Sequence, residues 1–363
     1  MKKKINKMKV FYTGVNLYGQ FSDEITDEII NEFTEININE DIIFYDVSLT
    51  YSVIVTKTQI VVRGFFNGRP YQNIKIIDFN IKSIKQISCN EIHILILNKN
   101  GDIWQLKALD NDKFHLITNF IRCESKEKYE NDIITKIYCG KNMNLSVSKF
   151  GHLFNIPTRL NCDNTVTDVA CGQEHGILLC DDGRVYTWGI GSRGQLGHDD
   201  LENQLDPCVV KALCGIQIKK IAAGGWHCAA LSVDGDVYVW GWNSNGQLGF
   251  FNDNMEQSVC NTSTICNEDK SVESISVLFT PRPLTVDSVD SNIVDIACGM
   301  RHTLVLRDDG CLYGTGFNKY SQLGITNTKE NLGRMTRIIK FNKPCDKISI
   351  NCGPYCSTYS LYD

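Results

Sequence analysis

Ala222-Ala223-Gly224-Gly225-Trp226-His227 opens a stretch that runs through Asp234-Gly235 and Val237-Tyr238-Val239-Trp240-Gly241 and ends on Gly246-Gln247-Leu248-Gly249. Its residue types point to strands and tight turns. The Asp-Gly pair supplies the positive φ angles of a short hairpin turn. The β-branched and aromatic run after it suits a pleated, packed surface. The later glycines permit a sharp return of the chain. The stretch therefore predicts antiparallel strands joined by short connections.

The same pattern occurs in two more places without a gap. Ala170-Cys171-Gly172 and Ala297-Cys298-Gly299 align with Ala222-Ala223-Gly224, and in each copy a histidine follows three residues after the glycine: His175, His227 and His302. Eight residues later come Gly183, Gly235 and Gly310, each after an aspartate, and six further on Gly189, Gly241 and Gly316. The copies end on Gly194-Gln195-Leu196-Gly197, Gly246-Gln247-Leu248-Gly249 and Ser321-Gln322-Leu323-Gly324.

Fainter copies follow from the spacing. His93 to Gly101 and Met143 to Gly151 keep the interval of eight, with Cys89-Asn90 and Cys139-Gly140 at the openings. Ser48 and Tyr51 occupy the glycine and histidine positions of another copy, and Cys352-Gly353-Pro354-Tyr355-Cys356 opens a last one. That last copy lacks a Gln-Leu-Gly half, whereas Gly14, Gly19 and Gln20 near the N-terminus match the offsets of Gly189, Gly194 and Gln195. The two ends are thus expected to complete one blade between them, which removes strand edges that would otherwise stay open.

Seven openings and one shared blade predict an all-β fold: a single seven-bladed β-propeller over 1–363, closed by pairing of its N- and C-terminal segments. The openings lie 42, 50, 32, 52, 75 and 54 residues apart. The interval of 32 predicts a truncated blade lacking a strand or two. The interval of 75 holds an insertion, 250–279, rich in Asn, Ser, Asp and Glu, which reads as a mobile loop. Leu106 to Asp132 reads as a surface excursion, and 1–9 as a basic tail.

Composition limits the function classes. The chain has 363 residues, 42% of them hydrophobic, and a formal net charge of −5, which argues against a protein that coats nucleic acid over its whole surface. No run of 18 apolar residues and no signal-peptide core occurs, so a non-membrane, intracellular protein is expected. The 16 cysteines are expected as reduced thiols, because a chain of this size does not depend on staples. Lys2-Lys3-Lys4 with Lys7 and Lys9 reads as a nuclear address, a phosphate contact or a solvated tail.

Trp-Gly followed by Gly-Gln-Leu-Gly, after an Ala-Cys/Gly-Gly-x-x-His opening and an Asp-Gly hairpin, resembles the regulator of chromosome condensation repeat family. The match is strict from Val166 to Ile325 and degenerate before it. Ala222 to His227, Gly241-Trp242-Asn243, Gly246-Gln247-Leu248 and Cys352-Gly353-Pro354 are similar to a small stand-alone member of that family. The resemblance implies a non-catalytic protein of chromatin and mitosis that partners a JmjC-domain histone lysine demethylase or hydroxylase, as a monomeric propeller in a heteromeric complex. It also implies a nuclear, chromosome-associated location, with cytoplasm open. Two other readings remain: a guanine-nucleotide exchange factor for a small GTPase, as the family's founder is, and direct binding of histones or the nucleosome through an arginine-bearing face.

Other motifs favour structural roles. Gly189-Ile190-Gly191-Ser192-Arg193-Gly194 has the form of a dinucleotide fingerprint, but no amphipathic helix follows, and the βαβ setting is missing, so no cofactor is expected. His175, His227 and His302 fall one to a blade, which spreads them around the ring and speaks against a metal cluster. They are expected to hydrogen-bond backbone near their turns. Cys89, Cys139, Cys171, Cys298 and Cys352 share one repeat position and read as small core residues. No hydrolase elbow, zinc-protease motif or phosphate loop is present, so no enzymatic activity is expected.

Partner-binding residues are expected where otherwise matching repeats differ, because the ring itself depends on what repeats. Those positions are Arg193, Trp226, Trp242, Asn243, Arg301, Lys319 and Tyr355. Exposed Trp, Tyr and Arg are the residue types that dominate protein interfaces.

Overall fold

The computed structural model describes residues 8–22, 25–66, 68–76, 79–107, 113–118, 120, 132–250, 275–286, 292–326 and 329–362. Its described strands fall into seven four-stranded antiparallel blades, the first and seventh of which are joined into one sheet by a single bridge, Met8 to Ile42. Blade one is Ile42–Val47, Tyr51–Thr56, Ile60–Phe66 and Arg69–Ile76; blade two is Ile84–Cys89, His93–Asn98, Ile103–Lys107 and His115–Leu116. Blade three is Ile134–Cys139, Asn144–Ser148, Leu153–Asn155 and Thr158–Arg159; blade four is Val166–Cys171, His175–Cys180, Val185–Gly189 and Gln204–Val209. Blade five is Ile218–Ala223, His227–Ser232, Val237–Trp242 and Val277–Pro283, and blade six is Ile293–Cys298, His302–Arg307, Cys311–Phe317 and Asn331–Lys340.

Blade seven takes two strands from each end of the chain. Ile348–Gly353 pairs with Cys356–Tyr362, which pairs with Met8–Val15 from Met8 opposite Tyr362 to Gly14 opposite Cys356; Ile29–Glu35 completes the sheet. The innermost strands of all seven blades line one axial channel, through Asp46, Ser88, Tyr138, Asp168, Lys220, Ile296 and Ile350 among others. The five cysteines of the shared repeat position, Cys89, Cys139, Cys171, Cys298 and Cys352, lie on that channel wall. All 13 described cysteines are free thiols. Among the described residues no helix is long and apolar enough to cross a membrane.

Four expectations need correction. The short blade keeps all four strands, and its economy lies in outer strands of only three and two residues, Leu153–Asn155 and Thr158–Arg159, joined by a two-residue turn. The 250–279 insertion ends earlier than expected, since Val277–Pro283 is the outer strand of blade five; 251–274 lies outside the described residues. Met8 and Lys9 belong to a strand and not to a tail, with Lys9 paired to Glu35 at 3.0 Å. Within 106–132, Leu106 is buried in a strand and His115–Leu116 is the outer strand of blade two; 108–112, 119 and 121–131 lie outside the described residues.

Apolar side chains fill the wedges between blades, as where Val53, Val55 and Val62 meet Ile87, Ile94 and Ile96. The repeat histidines act at the same boundaries, and their partner is not the backbone of their own turn. His175 Nε2 lies 3.1 Å from Cys228 Sγ, His227 Nε2 2.9 Å from Thr303 Oγ1, and His302 Nε2 3.0 Å from Ser357 Oγ, each time on the next blade. Thr303 and Ser357 in turn donate to the carbonyls of Gln247 and Gln322 at 2.7 and 2.5 Å, so they accept from the imidazole and fix its proton on Nε2. The opening glycine makes room for the ring: a Cβ on Gly224 would meet His227 Cε1 at 2.1 Å and the Gly299 carbonyl at 2.5 Å. Tyr51 replaces histidine at the first boundary and reaches the His93 carbonyl of blade two at 3.0 Å.

All three imidazoles are fully buried, and burial lowers them from their ordinary value to about 4, 3 and 4 for His175, His227 and His302. The unfolded chain takes up protons at these sites below about pH 6.5, and the folded one does not. Their contribution is therefore complete above that pH and is lost as the pH falls towards 4. Burial also raises the Asp46 carboxyl to about 6, which opposes the trend by one proton. The net difference near pH 5 is about two protons, so denaturant unfolding should lose ~3 kcal/mol per pH unit there. His302→Gln should reduce that slope by about half, because the net difference falls from about two protons to about one; a slope unchanged by the substitution would mean that this imidazole is not buried neutral.

Candidate interaction face

Within each blade the first and third strands run one way and the second and fourth the other. The Gly-x-x-His openings and the Gln-Leu-Gly loops therefore emerge on one face, and the Asp-Gly hairpins on the opposite face. On the first face three repeat positions are free to vary: the residue before the histidine, the residue after the return glycine, and the residue two before the glutamine. The repeated residues around them are occupied. Gln195, Gln247 and Gln322 are fully buried, and each side-chain oxygen accepts the backbone N–H two residues earlier, at 2.8, 2.9 and 3.0 Å.

The free positions of blades four to seven assemble into one continuous stripe. Glu174 accepts the indole N–H of Trp226 at 3.2 Å. The Arg193 guanidinium lies 4.4 Å from the Trp226 ring centre and 5.4 Å from that of Trp242, while the two indoles meet edge to face at 5.3 Å. Arg301 continues the row, 5.4 Å from Trp242 and 6.0 Å from Phe317. Phe317, Tyr320 and Tyr355 then form a triangle of edge-on rings at 5.7 to 6.4 Å. These side chains are half-buried. Further round, Tyr18 and Phe65 lie 6.0 Å apart at the corresponding positions and are 45% and 39% exposed, so the aromatic character of the rim extends to blade one.

The structure thus brings together Arg193, Trp226, Trp242, Arg301 and Tyr355. Lys319 is exposed beside Tyr320 and is paired with Glu330 at 3.1 Å. Asn243 does not belong to the face. It is fully buried, its amide donating to the Ile275 carbonyl at 2.6 Å and its oxygen accepting Leu248 N–H at 2.8 Å, and Asn16 and Asn318 make the same kind of closure in their loops. Glu174, Phe317 and Tyr320 were missed by comparison of repeats, although they stand in the same columns as Trp226, Trp242 and Arg193. The dinucleotide-like string Gly189 to Gly194 folds as the end of a strand and the following loop, with Gly189 at φ 106° and a hypothetical Cβ 2.4 Å from the Glu174 carbonyl.

Models of the regulator of chromosome condensation (RCC1) repeat match residues 182–231 and 234–306, and a second form of that repeat matches 166–195, 218–247 and 293–322. Residues 166–322 are RCC1 repeats. The chain is 37% identical over 208 residues to RCC1 domain-containing protein 1 of Mus musculus, covering 53% of this chain and 55% of that protein. It is 38% identical over 204 residues to the Homo sapiens protein of the same name, covering 52% and 54%. The ultraviolet-B receptor UVR8 of Arabidopsis thaliana is 33% identical over 220 residues, covering 52% and 49%. The chain spans about half the length of the curated relatives it matches.

Solved RCC1-like structures match over nearly the whole chain. Human WBSCR16 superposes with a TM-score of 0.75 at 16% identity, covering 98% of both chains. Prp20p of Saccharomyces cerevisiae, described with its binding to Gsp1p and histones, gives 0.76 at 16% identity, covering 99% of this chain and 92% of that one. The degenerate first half, 8–165, therefore shares the propeller fold while carrying few repeat residues.

The RCC1 pattern separates two kinds of residue on this face, and stability measurements distinguish them. Asn243→Ala removes two buried hydrogen bonds and should cost about 2–4 kcal/mol. Arg193→Ala removes partly exposed cation–π contacts and should cost only about 0.5–1 kcal/mol. Unfolding midpoints of the two variants should fall in that order; equal losses would place Arg193 in the scaffold.

Proposed function

We propose that this protein is a non-catalytic interaction subunit that holds a partner on the Trp–Arg face of blades four to seven. The observation that carries the reading is the stripe itself: the positions released from the RCC1 pattern are contiguous in space and are occupied by Trp, Tyr and Arg. These are the side chains that combine large contact area with strong polar anchoring. A rigid ring keeps such loops in place and lowers the ordering cost of binding.

The partner we propose is a JmjC-domain histone lysine demethylase or hydroxylase, following the resemblance to a small stand-alone RCC1 protein, with a role in chromatin regulation and chromosome segregation in the nucleus. The similarity to RCC1 domain-containing protein 1 supports this reading over 53% of the chain. Histone binding is a second proposal, supported by the description of Prp20p alone.

Affinity capture of the tagged full-length protein with quantitative mass spectrometry tests the proposal. One JmjC protein at near-stoichiometric yield is expected, with Trp226→Ala and Arg301→Ala each lowering recovery at least tenfold while the variants stay folded at the capture temperature, as befits losses of about 2 kcal/mol at an interface. Stoichiometric recovery of a small GTPase, with accelerated release of a fluorescent guanine nucleotide, would replace the adaptor by an exchange factor.

A further inference from the structure

We infer that the Trp–Arg stripe recognises an acidic extended peptide, two carboxylates of which are held by Arg193 and Arg301, both of which lie beside Trp242. The inference rests on the docking role proposed for this face and specifies the chemistry of what docks there. A guanidinium stacked on an indole presents its π surface to the ring and keeps its in-plane N–H groups for a planar anion. Among the described residues, neither Arg193 nor Arg301 makes a side-chain hydrogen bond or ion pair, and Arg301 Nε is buried without an acceptor. Several other cations have a carboxylate partner, as in Lys57–Asp41, Lys136–Asp168, Arg184–Asp182, Lys220–Asp295 and Lys319–Glu330. Two uncompensated guanidiniums among aromatic walls, on a chain of net charge −5, are a cost that an incoming carboxylate offsets.

The same geometry disfavours a nucleic acid. A single strand bound by stacking needs open aromatic faces and a run of cations along its backbone. Here the Trp226 and Trp242 rings are set edge to face at 80° and are approached by Arg193, and the stripe offers two unpaired cations among the described residues.

Spacing sharpens the ligand. Both guanidinium carbons lie 5.4 Å from the centre of Trp242. Their separation is therefore below about 11 Å, and the side chains at i and i+2 of an extended strand share one face about 6.6 Å apart. The expected motif is acidic-x-acidic, with a neighbouring apolar side chain reaching the Phe317, Tyr320 and Tyr355 rings.

A randomised 12-residue peptide display library, panned on the full-length protein, tests this. Enriched peptides should carry two acidic residues two apart. The synthetic form of the best one should bind at least tenfold more weakly after either Glu→Gln or Asp→Asn change, and likewise to Arg193→Lys or Arg301→Lys, which keep the charge and remove the fork. Circular dichroism and thermal melting of these variants separate a lost site from a lost fold. The inference is overturned if enriched peptides lack the acidic pair, if folded wild type enriches nothing over the folded Arg193→Ala/Arg301→Ala double variant, or if a fluorescent single-stranded oligonucleotide binds the stripe and displaces the peptides. Failure to capture a demethylase with acidic-pair binding intact would remove the proposed partner and leave this inference standing.

Discussion

The interaction on which the RCC1 half of the ring depends is a buried relay across each blade boundary, from imidazole Nε2–H to a thiol or hydroxyl on the next blade and on to a glutamine carbonyl. A propeller's blades are separate sheets, and apolar wedges alone leave their relative rotation loosely specified. A directional bond between neutral partners fixes it, because its geometry tolerates only a narrow range of angles. The relay also explains three repeated residues at once. The opening glycine accommodates the imidazole, the histidine donates, and the Gln-Leu-Gly loop presents the carbonyl that orients the accepting hydroxyl.

Because the relay consumes those positions, the variable columns beside them are left to function, and that division was largely legible in the sequence. The blade number and the pairing of the two ends followed from spacing, and the copies at Ser48, Asn90 and Gly140 fall on the same opening bond, each donating its backbone N–H to the carbonyl three residues on at 2.8 to 3.0 Å. Asn243 was misread for a physical reason. It differs from Gly191, its counterpart in blade four, and so looked variable, yet Asn16 and Asn318 close their loops in the same manner, and the glycine copy is the exception. The histidine partner was equally invisible, since the accepting residue is 53 to 76 residues away and varies among Cys, Thr and Ser.

The first half of the chain holds its blades with different chemistry. Tyr51 takes the histidine place, His93 faces the Asn144 amide at 3.1 Å, and Gln86 exchanges two hydrogen bonds with the Ile137 backbone at 2.6 and 3.0 Å. Each substitute bridges to the following blade, so the ring is conserved in geometry while its residues drift from the RCC1 pattern. The arginine-bearing part of the stripe lies where the pattern is strict, on blades four to six, and only the free columns change there.

The shared seventh blade carries a further consequence for the order of events during synthesis. Met8–Val15 leaves the ribosome well before its inner neighbour Cys356–Tyr362. The N-terminal strand must wait through translation of some 340 residues with one edge unsatisfied, and domains that must close such long loops fold late. Messages cut short of the last strand would release a row of blades with two exposed rims, a form suited to aggregation or to capture by chaperones rather than to function.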